Sequence, residues 1–417
     1  MSRFRRRLMG LAALRQAAAD DFVRVEYIEN SNLAYINTNF SISTNVGYSI
    51  DAVITISSAK AGYLVGKSGG NPYNASIGIT ATPNFKTFCN RTTVNYTDYT
   101  AELDKKYHLT GSPKNLTVEY EDIDEDTQET VTKSFSFTND GSIVNSKQLS
   151  IFNIIGYVNN SNAFYGRIYS FKLYNSSGTL VRDYIPMYQI STDTYGLWDR
   201  VNEEFYSSAN SYKFTGGERV IADANDNLYY FRNYISTYNT QRYLNTGIYA
   251  NSTDYWETKV YLASGRNYVF GGWSANNSNM YGIHANANTI SFVYGSGGIN
   301  YSVSYANKIF TLKQIFDNET QTMHFYVYDA NGTQVFHNSI AKRGSAASKT
   351  FYIGNYNGST YGSTNGTRFY NFKYYRNGEL IREYIPVQSC EDGVYGFFDK
   401  VNLRFYKSNG TQPFTGA

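Results

Sequence analysis

The stretch GRIYSFKLYNSSGTLVRDYIPMYQISTDTYGLWDRVNEEFYSSANSYKFTGG, Gly166 to Gly217, decides the reading because it returns at Thr367–Gly416 as TRFYNFKYYRNGELIREYIPV, YGFFDKVNLRFY and FTG. Pro186 and Pro386, Asp199 and Asp399, Tyr206 and Tyr406, and Phe214 and Phe414 pair across the two copies. The first copy carries one extra residue in its Asn175-Ser176-Ser177-Gly178 turn, where a hairpin tolerates an insertion. Ile168, Ser170, Lys172 and Tyr174 alternate with Tyr169, Phe171 and Leu173, which is strand periodicity. Asn377-Gly378 predicts a two-residue type I′ turn, so each copy should begin with an antiparallel hairpin. An Ile-Pro step follows, and it is expected outside any central strand.

The copies extend upstream. VRVEYIENSNLAYINTNF at 23–40 matches YFRNYISTYNTQRYLNTGIY at 230–249, through Tyr27-Ile28 with Tyr234-Ile235. The segments LTVEYEDIDEDTQETVTKSFSF and MHFYVYDANGTQVFHNSI each read as strand, polar turn and strand. The chain therefore divides into residues 1–21, a first unit 22–217, a short polar join 218–227 and a second unit 228–417. Each unit offers about a dozen short strands, as in a two-sheet jelly-roll sandwich. With 42 Tyr and 26 Phe among 417 residues and only 6 Pro, composition favours pleated, half-buried surfaces, and the predicted fold class is all-β.

Net charge is +3, and the excess comes from Arg3, Arg5, Arg6, Arg7 and Arg15. The rest is near neutral, so no extended basic face suggests nucleic acid. Phe4, Leu8, Leu11, Leu14 and Ala18 recur at helical spacing and predict a helix over 1–21. A secretory signal, a membrane-surface helix and a docking peptide compete for this segment; its apolar run is short for the first and its bulk small for the second. Cys89 and Cys390 fall at non-equivalent positions and are expected as free thiols in a reducing compartment.

Most chemical motifs read as structural. Glu121-Asp122-Ile123-Asp124-Glu125-Asp126 lacks the alternation of a glycanase acid pair and is expected to be a solvated turn. Gly66-Lys67-Ser68-Gly69-Gly70 matches the letters of a nucleophile elbow, but NPYNAS follows where a helix is needed. His108, His284, His324 and His337 show no metal-binding spacing. Asp199 and Asp399 could ligate calcium, and an Asx-turn is the safer reading. No catalytic residue, metal site or cofactor is expected. Loops dense in Tyr, Asn, Gly and Ser leave saccharide binding, with Trp273, Tyr281, Tyr294, Tyr63 and Tyr73 as candidates; the alternative is that these rings are framework.

The pattern of Tyr-Ile, a glycine-bounded strand, LSIFN at 149–153, GRIYSFKLYNSSGTLVRDYIPM, YGLWDRVNEEFY and FTGG resembles concanavalin A-like/laminin G-like jelly-roll modules. It is most similar to the version in minor structural proteins of phages and prophages of gut bacteria, and MSRFRRRLMG resembles the start of virion proteins of crAss-like and other Bacteroides phages. The resemblance covers nearly the whole chain. It implies a non-enzymatic virion protein, a head fibre, capsid decoration or tail-associated fibre, assembled in the host bacterial cytoplasm and displayed on the virion surface. Arg3, Phe4, Arg5, Arg6, Arg7, Leu8, Leu11 and Arg15 would dock to capsid, portal or tail proteins, without membrane insertion, and the two units would meet bacterial or mucosal glycans. Three-fold assembly follows only by analogy with other fibres. A purely structural virion spacer and a secreted bacterial carbohydrate-binding protein are the alternatives.

Overall fold

The computed structural model describes residues 21–42, 47–67, 75–89, 92–123, 129–141, 147–154, 162–239, 242–272, 280–343, 347, 349–357 and 363–417. Every element among them is a strand. The expected N-terminal helix and its docking residues lie outside the described residues. The chain forms two compact units, residues 1–220 and 221–417, with the division inside the stretch read as the join. Part of that stretch is structured, since Val220–Ala222 forms an edge strand next to Leu228–Phe231.

Each unit contains two open sheets. In the first unit the larger sheet runs Thr130–Thr138, Asn115–Ile123, Lys106–Gly111, Tyr48–Ile56, Gly166–Asn175, Leu180–Gln189, Thr194–Asp199, Glu204–Tyr206. The smaller runs Ile36–Ile42, Lys147–Ile151, Gly62–Lys67, Ala75–Ile79, Phe85–Cys89, Thr92–Asn95. The second unit repeats both orders: Gln334–Ala341, Thr322–Tyr328, Lys308–Asp317, Tyr255–Leu262, Ser363–Arg376, Glu379–Ser389, Tyr395–Asp399, Arg404–Tyr406, and then Leu244–Tyr249, Thr350–Ile353, Asn267–Gly272, Met280–Asn286, Thr289–Gly295, Gly297–Ser302. One apolar core joins the two sheets of each unit. Ile54 and Phe171 from the larger sheet share a cluster with Val65 and Ile77 from the smaller, as Val260 and Phe372 do with Phe270 and Ile283. Alternation along the strands makes this possible: Lys308–Asp317 buries every second residue from Phe310 to Phe316. Each unit is thus a two-sheet β-sandwich.

The repeated block forms the expected hairpins, Gly166–Asn175 with Leu180–Gln189 and Ser363–Arg376 with Glu379–Ser389. Asn377 and Gly378 both have positive φ, 52° and 84°, as a type I′ turn requires. The Ile-Pro step departs from expectation, because Pro186 and Pro386 sit inside these second strands. Val25 N–H donates to the Pro186 carbonyl at 3.2 Å and Arg232 N–H to the Pro386 carbonyl at 3.0 Å. A proline has no return N–H to give, and the partner strands Phe22–Arg24 and Leu228–Phe231 end there. The residue therefore marks the end of a neighbour rather than of its own strand. Cys89 and Cys390 form no disulfide among the described residues, and burial pushes the Cys89 thiol up to about 11.

Candidate functional site

Of the five aromatic candidates, Tyr281 and Tyr294 are cross-strand partners on the core side of the smaller sheet, 1% and 0% exposed, with rings edge to face at 5.7 Å. The Tyr294 hydroxyl donates to the Ser252 carbonyl. Neither ring has a face open to a sugar, so both are framework, which corrects the expectation. The turn at Ala287 and Asn288, with positive φ at both, sets the register that turns them inward. Tyr63 is half-buried in Gly62–Lys67 and packs its ring 4.1 Å from the Lys86 ammonium. Trp273 and Tyr73 lie outside the described residues, as do Ser68, Gly69 and Gly70 of the elbow-like motif.

The polar motifs resolve into structural contacts. Asp199 is fully buried; one carboxylate oxygen accepts the backbone N–H groups of Asp183 and Val201, both at 3.0 Å, and the other accepts Asn202 Nδ2 at 2.6 Å. Asp399 repeats this with Glu383, Val401 and Asn402. Arg182 and Arg382 supply the countercharges at 3.4 and 3.3 Å. This is the turn-fixing role read from the sequence. In the acidic run, Glu121, Asp122 and Ile123 belong to a strand, and residues 124–128 lie outside the described residues. The Lys133 ammonium at 2.9 Å holds the Asp122 carboxyl below its usual range.

Sequence spacing missed two histidine contacts. His108 lies between the carboxylates of Asp51 at 2.9 Å and Glu119 at 3.1 Å, contributed by three adjacent strands. His324 Nδ1 and His337 Nε2 are 3.2 Å apart across a hairpin, with Tyr326 stacked on His337 at 4.5 Å. Only the register of those strands brings these residues together. Asp51 and Glu119 meet opposite ring nitrogens of His108, and among the described residues no group of three or more His, Cys, Asp or Glu side chains is placed to hold one metal ion.

The arrangement with the most binding chemistry lies on the outward side of the larger sheet, and it occurs in both units. Arg167 alternates with the buried Ile168 and faces outward, its guanidinium 4.7 Å from the Tyr27 ring; Tyr27 and Tyr169 are 5.4 Å apart, and Lys106 lies 4.3 Å over Tyr169. In the second unit Arg368 packs 4.6 Å from Tyr234 and 4.8 Å from Tyr261, with Tyr370 6.2 Å from Tyr234. Lys259, from a strand not equivalent to that of Lys106, lies 5.7 Å over Tyr370. Partial burial raises the Tyr27, Tyr169 and Tyr370 phenols, which stay neutral donors. Tyr27/Tyr234, Arg167/Arg368 and Tyr169/Tyr370 all fall in the repeated sequence; their identity in both copies was the available signal. Such a group offers aromatic faces to sugar rings and guanidinium N–H donors to oxygens.

Strand order and shared cores thus define a chain of two β-sandwich units, each with one outward Tyr-Arg-Tyr cluster. No family model and no curated protein matches the sequence. Among solved structures the chain is similar to domains LG4–5 of the mouse laminin α1 chain, at 12% identity over 95% of this chain and 94% of that one, with a TM-score of 0.29. It is also similar to the LG1–3 region of the laminin α2 chain, at 11% identity over 84% of this chain and 65% of that one, with a TM-score of 0.28. At these scores the likeness carries no weight, and the sandwich assignment rests on strand order and the shared cores.

Proposed function

We propose that the protein is a non-catalytic saccharide-binding protein that uses the outward Tyr-Arg-Tyr clusters of its two sandwiches. One observation carries the reading: the cluster recurs at the same sheet position in both units, although the flanking loops differ in length and composition. Core packing would account for buried rings but not for an outward arginine held against tyrosines twice. The sandwiches are proposed to be of the concanavalin A-like/laminin G-like jelly-roll kind. The virion setting, with residues 1–21 docked to capsid, portal or tail proteins and weak sites acting together by avidity, rests on the sequence resemblances of the repeated pattern and of that segment.

A glycan-array screen of the folded chain, with Arg167→Ala, Arg368→Ala and the double variant, tests the binding role. Signal lost stepwise with the two substitutions supports it. A folded chain that binds no glycan refutes it and leaves a structural spacer. Release of reducing ends from a capsule by purified protein would overturn the non-catalytic reading. Deleting residues 1–20 tests the docking role: it should abolish incorporation into particles and leave array binding intact.

A further inference from the structure

The two clusters share their rings and arginine but differ in charge. In the first unit the cross-strand row through the arginine is Thr55, Arg167, Glu29, Thr215. Glu29 lies 3.4 Å from Arg167 Nε and Asp104 3.6 Å from Nη1, while Glu26 lies 3.7 Å from the Lys106 ammonium. Two cations there face three carboxylates. In the second unit the row is Tyr261, Arg368, Ser236, Thr415. Serine stands where the first unit has Glu29, and neither Arg368 nor Lys259 forms an ion pair among the described residues. Arg242 adds a further cation at the end of the row, its Nη1 donating to Thr415 Oγ1 at 3.4 Å. The Ala417 oxygen nearby is engaged by the backbone N–H groups of Asn233 and Tyr234.

We propose that the Arg368 cluster, and not its Arg167 counterpart, binds the carboxylate of an acidic saccharide. This rests on the saccharide-binding reading above and names the ligand class of one of its two sites. Tyr234 and Tyr261 fix the guanidinium between their rings and lower the conformational cost of using it. A planar fork of N–H donors matches a carboxylate in bidentate geometry, and an arginine without a protein carboxylate has that capacity to give. Lys259 and Arg242 strengthen the local positive field, and the Ser236 and Thr415 hydroxyls lie in the same row for sugar hydroxyls. In the first unit Glu29 and Asp104 already occupy the arginine.

The test uses the full chain in calorimetric titrations with an oligogalacturonate, its methyl ester, sialyllactose, lactose and a galactose sulfate. Wild type should bind at least one carboxylate sugar, uronate or sialoside, about ten-fold or more tightly than the matched neutral sugar, as expected for a hydrogen-bonded charge. Added salt should erode that preference. Ser236→Glu installs the carboxylate that the first unit accommodates at the same sheet position, so the sheet should fold, and it should abolish the preference, as should Arg368→Gln. A carboxylate preference that survives both substitutions in protein of unchanged melting temperature overturns the proposal. Binding of the sulfate but not of either carboxylate overturns the choice of ligand. Equal binding of acid and neutral sugars overturns the charge reading while leaving saccharide binding itself intact, and no binding to any of the five probes overturns the proposal, with the glycan array still deciding the parent reading.

Discussion

Replacing Lys86 by methionine should stabilise the first unit near neutral pH and do so less as pH rises. Lys86 lies in the strand Phe85–Cys89, is 8% exposed, and faces Gly78 on one side and Asn95 on the other. Among the described residues it has no carboxylate partner, only the Tyr63 ring at 4.1 Å. Burial disfavours its charged form and brings the ammonium from 10.5 down to about 8. Below about pH 8 both folded and unfolded chains are protonated, and the folded state bears the whole cost of the buried charge. Between there and 10.5 the unfolded chain holds a proton that the folded chain has released, so stability rises with pH across that window. The difference corresponds to about 3 kcal/mol, from which loss of the cation–π contact removes about 1 kcal/mol. Methionine should therefore gain about 2 kcal/mol at about pH 7, and the gain should shrink steadily by about pH 9.5. Urea unfolding of wild type and variant at several pH values measures the difference. A difference that stays constant with pH, or a variant less stable at neutral pH, would refute the assignment of a charge held at a cost.

Four further outcomes follow from the same packing. Asp399→Ala should lower stability by about 3 kcal/mol in urea unfolding, because it leaves two backbone N–H groups, Asn402 and Arg382 without their buried acceptor. Tyr281→Ala should cost about 3–5 kcal/mol as a cavity in the second core and leave saccharide binding per folded molecule unchanged; lost binding in a still-folded variant would restore it as a contact residue. Gly378→Ala should cost about 1 kcal/mol, since φ is +84° with open space around it. Gly354→Ala should lower the melting temperature further, because φ is +82° and its Cβ would sit 2.4 Å from Thr237 Cγ2.

Local pattern reached a long way in this chain. A repeat at fixed offset, period-two alternation and Asn-Gly turn chemistry depend only on neighbours in sequence, and they determined the all-β class, the duplication and the hairpins at Asn175–Gly178 and Asn377-Gly378. Asp199 and Asp399 were legible for the same reason, since their acceptors serve a turn two and three residues away. Alternation says that successive residues face opposite ways but not which way is inward. Tyr281 and Tyr294 were therefore placed by hairpin register and by the sheet packed against them. Pro186 was misread because what matters is the strand on its far flank, Phe22–Arg24, more than 160 residues earlier. His108 with Asp51 and Glu119, and Arg167 with Tyr27 and Lys106, meet only because sheet order sets distant strands side by side. The contrast between Glu29 and Ser236 could be read in the aligned copies, but its meaning, an arginine with carboxylate partners in one unit and none among the described residues in the other, was decided by the tertiary structure, since an ion pair depends on distance in space.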